Sequence, residues 1–280
     1  MSIRSCLFAV FAILLAPGVA RADVFDPIEN VYELIAQGFE DAWPTDFVSE
    51  GLRADVGVGV AVLPDYHGSD SYQAFAIPLV RITYEDFAAL RNTKLSVNLL
   101  RYGELKAGVL AKYLFGRNES RNPALASLEN IGDTVELGGF VRYDFKHMIV
   151  KLEAREGVSQ GQGLTVRLNL AHGLYRTEKL RIGASATAIW GSGEKLDTNF
   201  GVTPEEAAAS PVGLRPFNPD GGIYEINAFL GGEYSLTTHW RVAAALGYAR
   251  LLADAADSPL VADFGSPNQL TAGMGLFYRF

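Results

Sequence analysis

The sequence predicts an all-β fold, a transmembrane antiparallel up-and-down β-barrel of twelve strands, with ten as the fallback count. Three observations carry it. Stretch after stretch alternates apolar and polar side chains with a period of two. Each is about as long as the roughly 9–11 residues that a tilted strand needs to cross a bilayer. The apolar faces end in aromatics, at Tyr113 and Phe115, Tyr143 and Phe145, Trp190, Trp240, Tyr278 and Phe280. Such rings favour the lipid–water boundary. Finally, the chain closes on a strand whose apolar face, from Ala272 through Met274 and Leu276 to Tyr278 and Phe280, runs to the last residue. With 29 Gly, 16 Phe and 12 Tyr in 280 residues, the composition suits strands and turns better than helices.

The first elements lie outside the barrel. Arg4, an apolar run from Cys6 to Leu15 and the small-residue pattern Ala20-Arg21-Ala22 predict a signal peptide over residues 1–22, cleaved before Asp23. The run is too short to span a bilayer as a helix. Residues 23–51 form a leader. Its Ile28, Val31, Ile35 and Phe39 recur at helical spacing, so it is either a short amphipathic helix at the periplasmic mouth or an irregular segment.

The barrel occupies residues 52–280. Working backward from Phe280 with both termini periplasmic, strands fall at 269–280, 240–251, 223–236, 180–190, 164–175, 148–156, 134–145, 105–115, 94–101, 73–82 and 53–63. That makes eleven, and a closed single-chain barrel of this kind needs an even number. The short stretch 87–91, reversing at Asn92, supplies the twelfth. Pro78 is awkward inside a strand because it lacks a ladder donor, and a bulge would accommodate it.

One face of each strand is greasy and the other mixed. In 164–175 Leu164, Val166, Leu168, Leu170 and Leu174 oppose Thr165, Arg167 and Asn169; in 223–236 Tyr224, Ile226, Ala228 and Leu230 oppose Glu225, Asn227, Phe229 and Glu233. The enclosed face then carries the candidate lumen residues Lys106, Lys112, Glu136, Arg142, Asp144, Lys151, Glu153, Arg155, Arg167, Arg181, Glu225, Glu233, Arg241 and Arg279. Small residues such as Gly57, Gly59, Ala61, Gly273 and Gly275 share that face and leave room for water. A narrow or occluded lumen is preferred to an open one. Tyr278 and Phe280 are the candidate signal for the barrel-assembly machinery, and outer-membrane lipid is the expected surround.

Several chemistries are excluded. A net charge of -8 argues against nucleic acid as a partner. The single Cys, at position 6, rules out disulfides and multi-thiolate zinc. No phosphate or dinucleotide loop appears, and no cofactor is expected. His67 lies beside Asp65, Ser69 and Asp70, but groups so close along one turn rarely reach catalytic geometry; a polar turn is the better reading. Asp254, Asp257 and Asp263 match no cation loop and read as a solvated face.

Four blocks resemble the MipA/OmpV family of outer-membrane proteins over essentially the whole mature chain. They are Pro64-Asp65-Tyr66-His67-Gly68-Ser69-Asp70; Asn199-Phe200-Gly201-Val202-Thr203 with Glu206, Ala207 and Ser210; Asp254-Ala255-Ala256-Asp257-Ser258-Pro259 after Arg250-Leu251; and the terminal Gly275 to Phe280. Family members often carry another residue at His67, and Ser-Gly-Leu where this chain reads Ser210-Pro211-Val212-Gly213-Leu214. The resemblance implies a barrel without catalytic residues. The family's namesake scaffolds a lytic transglycosylase and a penicillin-binding protein, which are the partners implied here. The alternative is a narrow channel for small solutes or ions. The loop blocks all fall on the outer rim by parity, which suggests that they fold together over the barrel.

Overall fold

The computed structural model describes residues 51–280 apart from Asn118 and Gln160. The expected signal peptide, and all of the leader but Gly51, lie outside the described residues. Twelve strands follow one another around a closed antiparallel barrel. They are β1 (Leu52–Pro64), β2 (Tyr72–Tyr84), β3 (Ala88–Arg91), β4 (Lys94–Tyr102), β5 (Leu105–Leu114), β6 (Thr134–Asp144), β7 (Met148–Gly157), β8 (Leu164–Arg176), β9 (Leu180–Gly191), β10 (Gly222–Ser235), β11 (Trp240–Leu251) and β12 (Asn268–Arg279). β1 closes on β12 in unbroken register from Asp55↔Arg279 to Val62↔Ala272.

The period of two explains the wall. On β1, Val58, Val60 and Val62 are exposed while Ala61 and Leu63 are buried; on β12, Leu270, Met274 and Leu276 are exposed while Thr271 and Phe277 are buried. An exposed face this apolar is stable only against hydrocarbon. No helix among the described residues is long and apolar enough to cross a membrane.

The twelfth strand is β3, four residues long, which rules out the ten-strand fallback. It is short because the chain reverses at Asn92, whose φ of 50° suits asparagine. The Asn92 amide donates to the Val80 carbonyl at 2.8 Å, and its side chain accepts from the Val80 amide at 2.9 Å. β3 thus pairs with β2 only from Arg81 to Tyr84. Between Tyr72 and Val80, β2 has a strand neighbour only in β1.

Pro78 sits in that stretch. The expected bulge is absent, for β1 and β2 pair without a register shift. Pro78 instead shares the backbone orientation of Val80 two residues on, so its missing N–H lies on the side where no strand pairs. This is the edge position that proline tolerates.

Beyond the wall are two apolar clusters. One lies inside the barrel on the β1, β2 and β10–β12 side and includes Leu63, Phe75, Ile77, Leu79, Phe229 and Phe277. The other belongs to the loop rim. There the long connections fold into short helices, α1 (Gly193–Phe200), α2 (Pro204–Ala209), α3 (Ala253–Asp257) and α4 (Pro259–Ala262). Ser192 caps α1 by accepting from the Lys195 amide; Thr203 and Glu206 form a reciprocal capping box on α2.

Candidate functional site: the lumen and its lid

The lid is built from the loop blocks that the sequence singled out. Buried Tyr66 donates its hydroxyl to the Leu260 and Phe264 carbonyls at 2.8 and 3.0 Å. Burial, then the charge of Asp70, push this phenol above its usual range. Gly68 has a φ of 102°, and a Cβ there would run into Val261. Its amide donates to Gln269, and Ser69 bridges to Gly265. Ser258 donates its hydroxyl to the Phe200 carbonyl at 2.7 Å, joining α4 to the end of α1. Asn199 donates to the Lys195 carbonyl and accepts, through its own carbonyl, from Arg117. At Gly201 a Cβ would meet the Asp197 side chain. Pro259 is buried beside Leu260 and Val261.

These contacts enclose a second core: Tyr66, Leu125, Leu128, Leu196, Phe200, Leu214, Tyr224, Leu251, Leu260 and Val261 are among its buried members. On its rim, partial burial opposes ionisation of Glu206. The amides of Thr203 and Glu129, with the Thr203 hydroxyl and Arg117, outweigh that and hold the carboxyl below its ordinary value.

The segment around His67 is a polar turn, but a buried one: Asp65, Tyr66 and Ser69 are buried, and His67 Nε2 lies 2.7 Å from Glu225 Oε2. The imidazole packs against the Phe200 and Tyr224 rings. Ser69 instead accepts from the Ser71 amide, and Asp65 from Asn122. Tyr224 was expected to face lipid by parity. A register shift between Ile223 and Glu225 turns it under the lid, where it is buried.

The acidic residues of the last loop behave variously. Asp257 is exposed, Asp254 accepts from the Asp220 amide at 2.6 Å, and Asp263 meets Arg215 at 3.1 Å on the surface. No group of three or more metal-ligating side chains occurs among the described residues.

The lumen candidates all stand on the enclosed face. Lys106, Lys112, Glu136, Arg142, Glu153, Arg155, Arg167, Glu225 and Glu233 are buried there; Lys151, Arg181, Arg241, Arg279 and Asp144 are partly so. They group into networks. At the β1–β12 seam, Arg279 grips Asp55 through two bonds of 2.6 Å. Arg81 reaches both Asp55 (3.7 Å) and Glu233 (3.2 Å), and Arg241 meets Glu233 at 2.7 Å. Near the short-turn rim, Lys106 bridges Asp86 and Asp144, and Arg142 also binds Asp144. Midway, Glu136 and Glu153 collect Arg155, Lys151, Lys94 and, from α1, Lys195. Sequence reading did not single out Asp55, Arg81, Lys94 or Lys195. The first three lie on inward-facing strand positions, and only Lys195 gave no signal.

The glycines do not open a channel on the apolar side. The Leu79 side chain lies against both Gly59 and Gly275, and Phe229 against Gly247. At the short-turn rim Trp240, Tyr278 and Phe280 form successive edge-to-face contacts, with centroids 5.1 and 5.0 Å apart.

An antiparallel barrel with a lipid-facing apolar girdle and an enclosed ionic interior is an outer-membrane β-barrel protein. The chain belongs to the MipA family: the model of that family, described as MltA-interacting protein MipA, matches residues 56–280. It resides in the bacterial outer membrane. No individually curated protein matches the chain. Among solved structures it is similar to the NanC porin, at 9% identity with 80% of this chain and 98% of that one covered and a TM-score of 0.45. An outer-membrane channel from Pseudomonas putida F1 gives 13%, 85%, 99% and 0.43 in the same order. The KdgM porin gives 9%, 81%, 99% and 0.41. At these levels the likenesses carry no functional argument.

Proposed function

We propose that the chain is a non-enzymatic, closed outer-membrane barrel that anchors murein-processing enzymes, a lytic transglycosylase and a penicillin-binding protein, rather than conducting solute. The apolar core of the lid carries this reading. A conducting barrel keeps its outer mouth wet, whereas here Phe200, Leu251, Leu260 and Val261 pack over it with almost no exposure. The interior adds to this, since one side is packed with Leu79, Phe229 and Phe277 and the other is crossed by ion pairs. The family's description as an MltA-interacting protein supports the partner class. The segments proposed to meet partners are the short turns and the leader expected over residues 23–51, because the loop blocks pack into the lid.

Capture of envelope proteins on full-length chain and on chain lacking residues 23–51 tests the anchoring role. The expected result is leader-dependent recovery of a murein hydrolase or synthase. Recovery of no such enzyme, or recovery that does not depend on residues 23–51, would end the reading. His67 has no catalytic part in it: the neighbouring hydroxyl of Ser69 is engaged with Ser71 rather than with the imidazole.

A further inference from the structure

The charge of the chain is unevenly placed. Residues 52–280 hold 22 Lys and Arg against 24 Asp and Glu, whereas residues 23–51 hold eight carboxylates and no Lys, Arg or His. Nearly all the net charge expected of the mature chain therefore belongs to the leader. Its carboxylates are also patterned. At the spacing that puts Ile28, Val31, Ile35 and Phe39 on one helical stripe, Glu29, Glu33 and Glu40 share another.

The barrel is polarised in the complementary sense. At the lid end Asp70, Glu119, Glu194, Glu205 and Asp257 are exposed. At the opposite rim, among the described residues, the inward position nearest the short turns is cationic on seven strands, at Arg53, Arg101, Lys106, Arg176, Arg181, Arg241 and Arg279. Asp144 is the one carboxylate in that ring. One layer deeper, Arg81 and Arg142 accompany Asp55 and Glu233; in the turns, Lys146 and Lys179 accompany Glu85, Asp86, Glu104 and Glu178. These cations are engaged within the barrel, as Arg279 is with Asp55, Arg241 with Glu233 and Lys106 with Asp86 and Asp144. The rim nevertheless keeps a net positive sign, and net sign is what draws a tethered charged segment.

The leader joins the barrel at this rim. The Gly51 carbonyl accepts from the Glu85 amide at 3.1 Å, and Gly51 has a φ of 78°, so the chain leaves the extended line of β1 beside the β2–β3 turn. Twelve strands spaced about 4.8 Å apart and tilted about 40° close a ring roughly 24 Å across. A helix over residues 28–39 is roughly 18 Å long, enough with its flanks to cross that ring. We propose that residues 23–50 dock across the short-turn mouth, with Glu29, Glu33 and Glu40 turned to its cationic ring. An acidic segment finds no such attraction on a lipid surface, where basic helical faces bind. This inference goes beyond the anchoring role and does not depend on it.

The test uses the chain from Asp23 onward in neutral phosphatidylcholine nanodiscs, with nitroxides on the added thiols of Gln37→Cys and Thr238→Cys. Thr238 is exposed in the β10–β11 turn and uncharged. Double electron–electron resonance is expected to give a narrow distribution centred within the mouth width of roughly 24 Å. Sodium chloride raised to about 1 M broadens it, because screening shortens the reach of exposed charge. Glu29→Lys/Glu33→Lys/Glu40→Lys shifts the docked-to-free ratio about tenfold toward free, and adding Arg101→Glu/Arg176→Glu restores docking. A leader held by its apolar stripe alone would not be restored by exchanging charge. Heat-resistant electrophoretic mobility checks that each variant barrel is folded; should the arginine variant not fold, the salt series on the parent decides. A broad distribution in the parent overturns the proposal. So does a narrow one indifferent to salt and to reversal of the leader's charge, a folded arginine variant that fails to restore docking, or relaxation of the Gln37 label by a lipid-soluble nickel reagent.

Discussion

Asp55 and Arg279 meet across 224 positions of sequence and clamp the seam where the barrel closes. Asp55 is almost wholly buried and is also approached by Arg81. Asp55→Asn leaves two cations without their shared carboxylate, at a cost on the order of 3 kcal/mol. Urea unfolding in micelles should show that loss, and a stability within error of the parent would contradict the clamp. Tyr66 makes a pH-dependent contribution. Its phenol is raised, so the stabilisation it gives is complete below the ordinary tyrosine range and is lost as pH rises through the higher folded value. Tyrosinate absorbance should accordingly show one late-titrating group that disappears in Tyr66→Phe. At this scale alternation places both Arg279 and Asp55 on the inward face, but that the two meet was not legible, since alternation assigns a face and says nothing about who stands opposite across a closed ring.

At the scale of elements, each strand was readable because alternation is a local property of the backbone. It failed where the backbone departs from it. The shift between Ile223 and Glu225 reversed the face of Tyr224, and nothing in Gly222-Ile223-Tyr224-Glu225 announces it. Pro78 gave a true signal of irregularity, but the irregularity is the early end of β3 rather than a bulge in β2. The long loops were placed together on one rim, as they are, yet α1 to α4 were read only as loops because each is too short, at four to eight residues, for a helical period to show. Leu260→Ala removes a fully buried side chain from that arrangement, costing about 2–5 kcal/mol locally. Limited proteolysis should find the lid opened while the heat-resistant electrophoretic mobility of the barrel persists; simultaneous loss of both would mean that lid and barrel form one cooperative unit.

For the whole molecule, the proposed closure of the barrel by its lid makes a prediction about conductance. Parent protein in a planar bilayer is expected to be silent. Replacing residues 193–220 by a short glycine-serine turn removes α1, α2 and Lys195, and with them much of the second core. Discrete conductance should then appear. Channel activity in the parent would instead favour the narrow-channel alternative.

Alone, the sequence determined that this chain crosses the membrane as an even number of strands, twelve with ten as the fallback, each with one greasy and one charged face, because side-chain alternation is set by local geometry and antiparallel closure needs an even count. Only the tertiary structure decided what the charged face does. Residues far apart along the chain meet there, Asp55 with Arg279, Tyr66 with Leu260 and His67 with Glu225. Which charge stands opposite which depends on the ring closing and on the loops folding over it.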